Sequence, residues 1–387
     1  MTTSVAPLTT QGAGRKCSAR HQICSLLTVN SFQEHLFSRR NLIFIGGQVV
    51  FNCQRTDQLR EDAVLEGVET TQFLPLDRDA NDIGSFEGLI QSYSELSLSF
   101  EADVYSAFAG VARYITLELQ TNLCHGIPEA YFDWFLLWTT LKTVRRRQCA
   151  PSWSWSGWIG GGWPNMWNWY SRDIKKVRKA LQHRTWIIWY QRVRQESTEC
   201  VPVWTYNNAD PSGQRNFYGG PIKSRFPFDC SQTAPTPRKL LNAPEYCKDI
   251  LNPTPGSGFL QFWTVSVTFY LNSLPNAELE PHLTSTNWRS CLGIFGRSGR
   301  ELGRVLVSED WQRAHVPGEH EFILLCEGRD ERPEWGAEDK EEGWRYMAML
   351  IERHGDWNER VTVGSIGKND LSEALGEGAV WKEIVLG

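Results

Sequence analysis

The stretch Cys149–Trp169, "CAPSWSWSGWIGGGWPNMWNW", constrains the fold of this chain more than any other, because it holds six tryptophans between Trp153 and Trp169. Each buried indole removes on the order of 150–250 Å² from water, worth several kcal/mol at about 25 cal/mol/Å². A segment so rich in them is a core wall, an exposed stacking platform or a membrane-interface anchor. Trp153 and Trp155 alternate with Ser152, Ser154 and Ser156, so on a strand the indoles share one face and the hydroxyls the other. Few aliphatic residues flank them, and the Gly and Pro turns argue against an anchor. Eleven of the eighteen tryptophans lie between 134 and 204, two of them in the helical pattern "YFDWFLLW". Indoles drawn from a helix and a neighbouring strand read as two walls of one core.

Length and composition narrow the class. With 387 residues, 22% charged and 41% hydrophobic, the chain can bury a sizeable core in one large domain or two. A net charge of −5 exerts no general pull on nucleic acid or an anionic membrane. The best apolar run, "YFDWFLLW", is too short to span a bilayer and carries Asp133, and "ICSLLTV" is too short for a signal peptide. A cytoplasmic location is the expectation. The ten cysteines contain no C-x-x-C pair, so reduced, mostly buried thiols are expected, with no structural zinc.

Residues 1–30 show no period and read as poorly ordered. "SFQEHLFSRR" suits a short helix, and "NLIFIGGQVVFNC" is a hairpin pattern, with Leu42, Phe44, Val49 and Phe51 alternating about Gly46-Gly47. Helical spacing dominates 84–141: Phe86, Leu89, Ile90 and Tyr93, then Phe100 to Ile115 after a Ser99 cap, then a helix opening at Pro128. The basic run 171–199 suits a helix leading into a strand at "TWIIWY". The Pro- and Gly-rich region 201–258 reads as a linker or irregular insertion. From Phe259 the period becomes two, through "FLQFWTVSVTFYL" and six shorter runs ending at "VWKEIVL". The expected class is α+β: a helical segment packed with a Trp-rich strand, then a mostly antiparallel β region.

Catalytic grammar is sparse. No phosphate-binding loop, dinucleotide fingerprint, nucleophile elbow or H-E-x-x-H occurs. The glycines of "GIFGRSG" connect two strands and read as a turn, as does Pro317-Gly318 between His315 and His320. Glu34 is a carboxylate beside His35, but helix neighbours do not face each other. Lys175 to Arg194, interleaved with Trp186, Trp189 and Tyr190, fits a solvated helix beside a buried strand better than a nucleic-acid groove. Arg145–Arg147 reads as helix C-terminal charge and a local ion-pair donor.

Taken in order, four segments resemble the fungal heterokaryon incompatibility (HET) domain. "RRRQCAPSWSWSGWIG" is similar to its P-S-W-S-W-A-G-W-x-G signature through Pro151, Ser152, Trp153, Ser154, Trp155, Gly157 and Trp158, with Ser156 where Ala is usual. "FQEHLFSRRNLIF" resembles its W-T-x-Q-E-x-L-L-S-x-R-x-L-x-F stretch through Phe32, Gln33, Glu34, Leu36, Ser38, Arg40, Leu42 and Phe44, without the Trp expected before Gln33. "SYSELSLSFEADVYSAFAG", with Asp103, and "GIPEAYFDWFLLW", with Pro128, resemble two further family segments. The S-Y-x-W-G and W-I-D-x-L-C-I-x-Q stretches of the family's first half do not occur.

The resemblance implies the second half of a HET domain at 31–200, followed by the 201–258 insertion and a β-rich region at 259–387. It also implies a role in non-self recognition and programmed cell death, exercised through other proteins, with no cofactor or metal and without an enzyme's first half. Two rival expectations stand beside it: a TIR-like NAD-cleaving or other hydrolase using Glu34, and a glycan-binding module with exposed indoles.

Overall fold

The structure, a computed structural model, describes residues 29–38, 40–45, 48–53, 81–139, 144–160, 172–204, 226–253, 256–274, 290–329, 344–367, 370–376 and 378–387. The chain divides into two compact units, Met1–Arg78 and Asp79–Gly387. In the first, helix α1 (Val29–Phe37) is followed by strands β1 (Arg40–Ile45) and β2 (Gln48–Cys53). They pair antiparallel in the expected register, Leu42 opposite Phe51 and Phe44 opposite Val49. Phe32 and Leu36 of α1 are buried.

The second unit opens with helix α2 (Ile83–Ser94), capped by the Asp82 carboxylate, which accepts from the Gly84 N–H at 2.8 Å. Phe86, Leu89, Ile90 and Tyr93 form its buried stripe. The continuous helix expected from Ser99 is instead a 3₁₀ turn at Glu101–Val104 followed by α3 (Ala109–Leu119). Phe100, not Ser99, stands at the cap position of that turn, and no side chain caps it. The break directs Tyr105 inward, to hydrogen bonds with His125 and Ser156. Two-residue strands β3 (Leu123–Cys124) and β4 (Ile127–Pro128) follow, then a 3₁₀ turn and the short helix α4 (Phe132–Phe135). Between β3 and β4, His125 (φ 49°) and Gly126 (φ 80°) both take positive φ, as a two-residue hairpin of this hand requires.

Strands β5 (Arg145–Arg146) and β6 (Trp158–Ile159) pair with each other. Arg145–Arg147 therefore do not end a helix; their ion-pair role is real, with Arg145 2.5 Å from Glu101 and Arg146 3.2 Å from Glu359. Helix α5 (Ile174–Arg184) carries the basic run, capped by Asp173, and starts beside α2: Ile83 N–H donates to the Arg172 carbonyl and Ile174 N–H to that of Asn81. The strand expected at "TWIIWY" shrinks to β7 (Tyr190–Arg192), which pairs with β8 (Cys200–Pro202).

The remaining strands are β9 (Leu260–Ser273), β10 (Ser290–Phe295), β11 (Glu301–Val307), β12 (Gly318–Arg329), β13 (Trp344–His354), β14 (Trp357–Gly367) and β15 (Val380–Leu386). Short helices α6 (Glu309–His315) and α7 (Leu371–Ala374) lie between them. With β7 and β8 they form a nine-stranded sheet, and the class is α+β with a mostly antiparallel β region. The antiparallel pairings run β9–β12–β13–β14–β11–β10 and back to β9, so six strands close on themselves and hide their edges. Strand β15 fills the other end of the gap between β9 and β14, parallel to β14 at one pair only.

Strand β9 joins this ring to the helical layer. Toward its end the alternation is plain: Val267, Phe269 and Leu271 are buried, Thr268 and Tyr270 exposed. In its first half Phe262 and Thr264 are buried too, because tryptophans cover the second face. The Trp189 ring lies 4.4 Å from that of Phe262, and Trp186 Nε1 donates to Thr264 Oγ1 at 3.1 Å. Within the 201–258 region, residues 226–253 cross this sheet as a strap. Indole donors at Trp263 and Trp381 bond the Ala234 and Gln232 carbonyls, and Gln261 bonds that of Thr236.

Candidate functional site

The tryptophan segment is not the strand its alternation suggests. Residues 151–154 turn, Trp155–Gly157 form a 3₁₀ turn, and only Trp158–Ile159 are extended in a ladder. The cause is local: Ser154 Oγ accepts from the Ser156 N–H at 3.1 Å, an alternative to sheet bonding, and Pro151 has no N–H to give. Indoles and hydroxyls are consequently not sorted to two faces. Trp153, Trp155, Ser152, Ser154 and Ser156 are all buried.

Each of these side chains is spent on a different part of the unit. Ser152 Oγ donates to the Gly387 main-chain oxygen and accepts from the Arg360 N–H at 2.8 Å. Trp153 Nε1 donates to the Gly258 carbonyl at 2.9 Å, just before β9, and Trp155 Nε1 to the Gly126 carbonyl at 3.0 Å. Trp158 Nε1 returns to the Ser152 carbonyl at 2.7 Å. The Trp155 ring meets Phe108 at 4.9 Å and Tyr93 at 5.6 Å, edge to face. Gly157 has no room for a Cβ against the Pro151 carbonyl. Beneath the segment, buried Arg360 lies 3.8 Å over the Trp138 ring and donates to the Leu136 and Trp138 carbonyls. Seven residues thus tie α2, α3, the β3–β4 turn, β9, β14 and the end of β15 together.

Behind the indoles lies a closed polar circuit. Tyr105 Oη is 2.6 Å from His125 Nδ1 and 3.0 Å from Ser156 Oγ; Ser156 Oγ donates to Ser154 Oγ at 2.8 Å, and Ser154 Oγ to the His125 carbonyl at 2.6 Å. One assignment of protons satisfies every member: His125 Nδ1–H donates to Tyr105, Tyr105 to Ser156, Ser156 to Ser154, and Ser154 back to His125. It leaves Nε2 as a bare lone pair, and Nε2 has no hydrogen-bond partner among the described residues. An unpaired acceptor costs less than an unpaired N–H donor. Burial lowers the His125 pKa, against a smaller opposite pull from Asp249, and raises that of Tyr105, so both are neutral. Asp249, from the strap, accepts the His125 main-chain N–H at 2.6 Å rather than a ring N–H. The His–Asp pair therefore orients a turn and does not relay a proton. Tyr105, His125, Ser154 and Ser156 are each 1% exposed or less, which seals the circuit from any substrate.

The other sequence-marked residues have no part in this circuit's hydrogen bonds. Gln33 and Glu34 sit on α1, Glu34 exposed, with Ser38 and exposed Arg40 just beyond. Asp103 is exposed in the 3₁₀ turn, and Pro128 is buried at the start of the next one. Trp163, Trp167 and Trp169 lie outside the described residues. A crevice with no room for a water-sized ligand runs beside Trp138, Trp158, Arg360 and Thr362, and the two indoles meet at 62° and present no shared flat face. Among the described residues no cluster of His, Cys, Asp or Glu could hold a metal ion, and no helix is long and apolar enough to cross a membrane. Sequence reasoning missed Tyr105, His125, Arg360 and Asp249. His125-Gly126 was visible as a turn dipeptide; nothing in the text marks Asp249. Compared with known proteins, the chain matches no family model, no curated protein and no solved structure.

Proposed function

We propose that the chain is a HET-family protein that works in the fungal cytoplasm through contacts with other proteins, in non-self recognition and the cell death that follows it. The family reading rests on the four ordered motifs of the sequence. One observation supports contact over catalysis: the signature segment spends its hydroxyls and indole N–H groups on internal bonds, and its polar circuit is sealed. Residues of that kind hold a scaffold together, and a scaffold acts through its surface.

Inducible expression of the chain in a filamentous fungus, scored by vital-dye uptake together with cellular NAD, tests the reading. Dye uptake at unchanged NAD, and unaltered by Glu34→Ala, is the expected result. Absence of death overturns the cell-death role. Death accompanied by NAD loss that Glu34→Ala abolishes overturns the contact mechanism in favour of a hydrolase.

A further inference from the structure

The strap and the tryptophan segment meet at two cysteines. Cys247 N–H donates to the Cys149 carbonyl at 2.6 Å, which sets the two residues side by side across a stretch of ninety-odd residues, close enough in main chain for a disulfide to span them. Both are free and half-buried, accessible to a small oxidant, whereas Cys124, Cys230 and Cys326 are buried. Cys149 stands two residues before Pro151, at the root of the signature segment; Cys247 stands two residues before Asp249, whose carboxylate holds the His125 turn. Buried Arg147 supplies positive charge near both sulfurs.

We propose that Cys149 and Cys247 are a reversible dithiol–disulfide pair whose oxidation fastens the strap onto the tryptophan segment. The oxidant is a hydroperoxide. The Cys149 thiolate attacks the peroxide, the O–O bond breaks, and a sulfenic acid forms with release of an alcohol or, from hydrogen peroxide, water. Cys247 then attacks the sulfenic sulfur, the S–O bond breaks, and water leaves as the S–S bond closes. Two thiols and one peroxide thus give one disulfide, one alcohol (or water) and one further water. Burial and the neighbouring thiol hold the Cys247 pKa up to about 12, while Arg147 pulls it down, which leaves the first attack to Cys149. In the second step the Cys247 proton passes to the departing sulfenic oxygen, which leaves as water. The disulfide would tie positions 149 and 247 covalently where one main-chain hydrogen bond now holds them, and would remove loop entropy from the unfolded chain. The pairing rests on the main-chain bond that sets the two residues together and stands whichever way the cell-death assay falls.

The test uses the full chain, reduced and then treated with stoichiometric hydrogen peroxide, followed by non-reducing peptide mapping. A cross-linked pair of peptides carrying Cys149 and Cys247, two hydrogens lighter than the sum of the two, is expected. The melting temperature should rise by several degrees, and dithiothreitol should reverse both changes. Cys247→Ser should abolish the cross-link and the shift while leaving the reduced melting temperature within a degree or two. Half-buried Cys200 and Cys291 serve as internal controls. Should Cys149 and Cys247 stay free, or end separately as sulfinic acids or in other pairings, the proposal fails. The native-chain map decides this even if the serine variant does not fold.

Discussion

A Cβ placed on Gly126 would lie 2.6 Å from Cζ2 of the Trp155 indole, whose Nε1 donates to the carbonyl of the same glycine. Gly126 also sits at φ +80°, where an L side chain is strained by roughly 1–2 kcal/mol. Overpacking adds a further ~1–3 kcal/mol, since the indole is wedged between Phe108 and Tyr93 and cannot retreat. Gly126→Ala should therefore lower unfolding free energy by about 2–5 kcal/mol in urea titrations. An unchanged midpoint would show that the indole has room to move.

Removing the ring itself should cost more. Trp155→Ala deletes a buried side chain that touches two aromatics and satisfies a carbonyl, for a loss of about 3–5 kcal/mol. Mutant protein that is soluble and melts cooperatively near the parent temperature would contradict the core assignment.

These two residues also mark how far the text could be read. The burial of Trp153 and Trp155 was legible, because clustered indoles without flanking aliphatic residues have few places to go but a core. Their conformation was not: period-two alternation implies a strand only if no side chain offers the backbone another partner, and Ser154 does. The strands from β9 onward were legible wherever one face is wet, as at Thr268 and Tyr270. "TWIIWY" misled because Trp186 and Trp189 bond sideways to Thr264 and Asp133 instead of continuing a ladder. Nothing local announces Asp249, which meets His125 across more than a hundred residues of chain.

Ser156 stands where the HET pattern that the segment resembles has Ala, and here its hydroxyl links Tyr105 to Ser154. Ser156→Ala opens the circuit, but the Tyr105 hydroxyl can turn and donate to His125 Nδ1, moving the ring proton to Nε2. The expected cost is about 1–3 kcal/mol, because the proton then sits on Nε2, a buried donor with no partner among the described residues. Nitrogen NMR of the His125 ring should report the tautomer change. A parent ring that already carries its proton on Nε2 would refute the proton assignment.

Arg360 is buried and flat against Trp138 while its fork reaches the Leu136 and Trp138 carbonyls. A lysine keeps the charge but loses the fork and the stacking, so Arg360→Lys is not conservative at this position. A loss of about 2–4 kcal/mol is expected, from stranded carbonyls and a poorly solvated ammonium. Chemical denaturation of the two proteins at one pH checks it, and parity between them would mean that the charge alone matters.

Glu129 makes the stability of this unit depend on pH in an unusual direction. It is buried in the 3₁₀ turn after Pro128, and burial raises its pKa from the ordinary 4.5 to about 7, with Asn122 opposing and Asp249 adding to the rise. Between those two values the folded chain binds more protons than the unfolded one, so unfolding free energy falls as pH rises through the window. The span corresponds to on the order of 3 kcal/mol, present in full below pH about 4.5 and lost above about 7. His125 pushes the other way: its lowered pKa makes the unfolded chain the better proton binder below 6.5, which costs stability on acidification. Comparing the parent with Glu129→Gln cancels the histidine, since both proteins contain it. The variant should gain on the parent as pH rises from 5 to 8, measured by urea midpoints at each pH. A constant difference across that range would mean that Glu129 stays ionised in the folded chain.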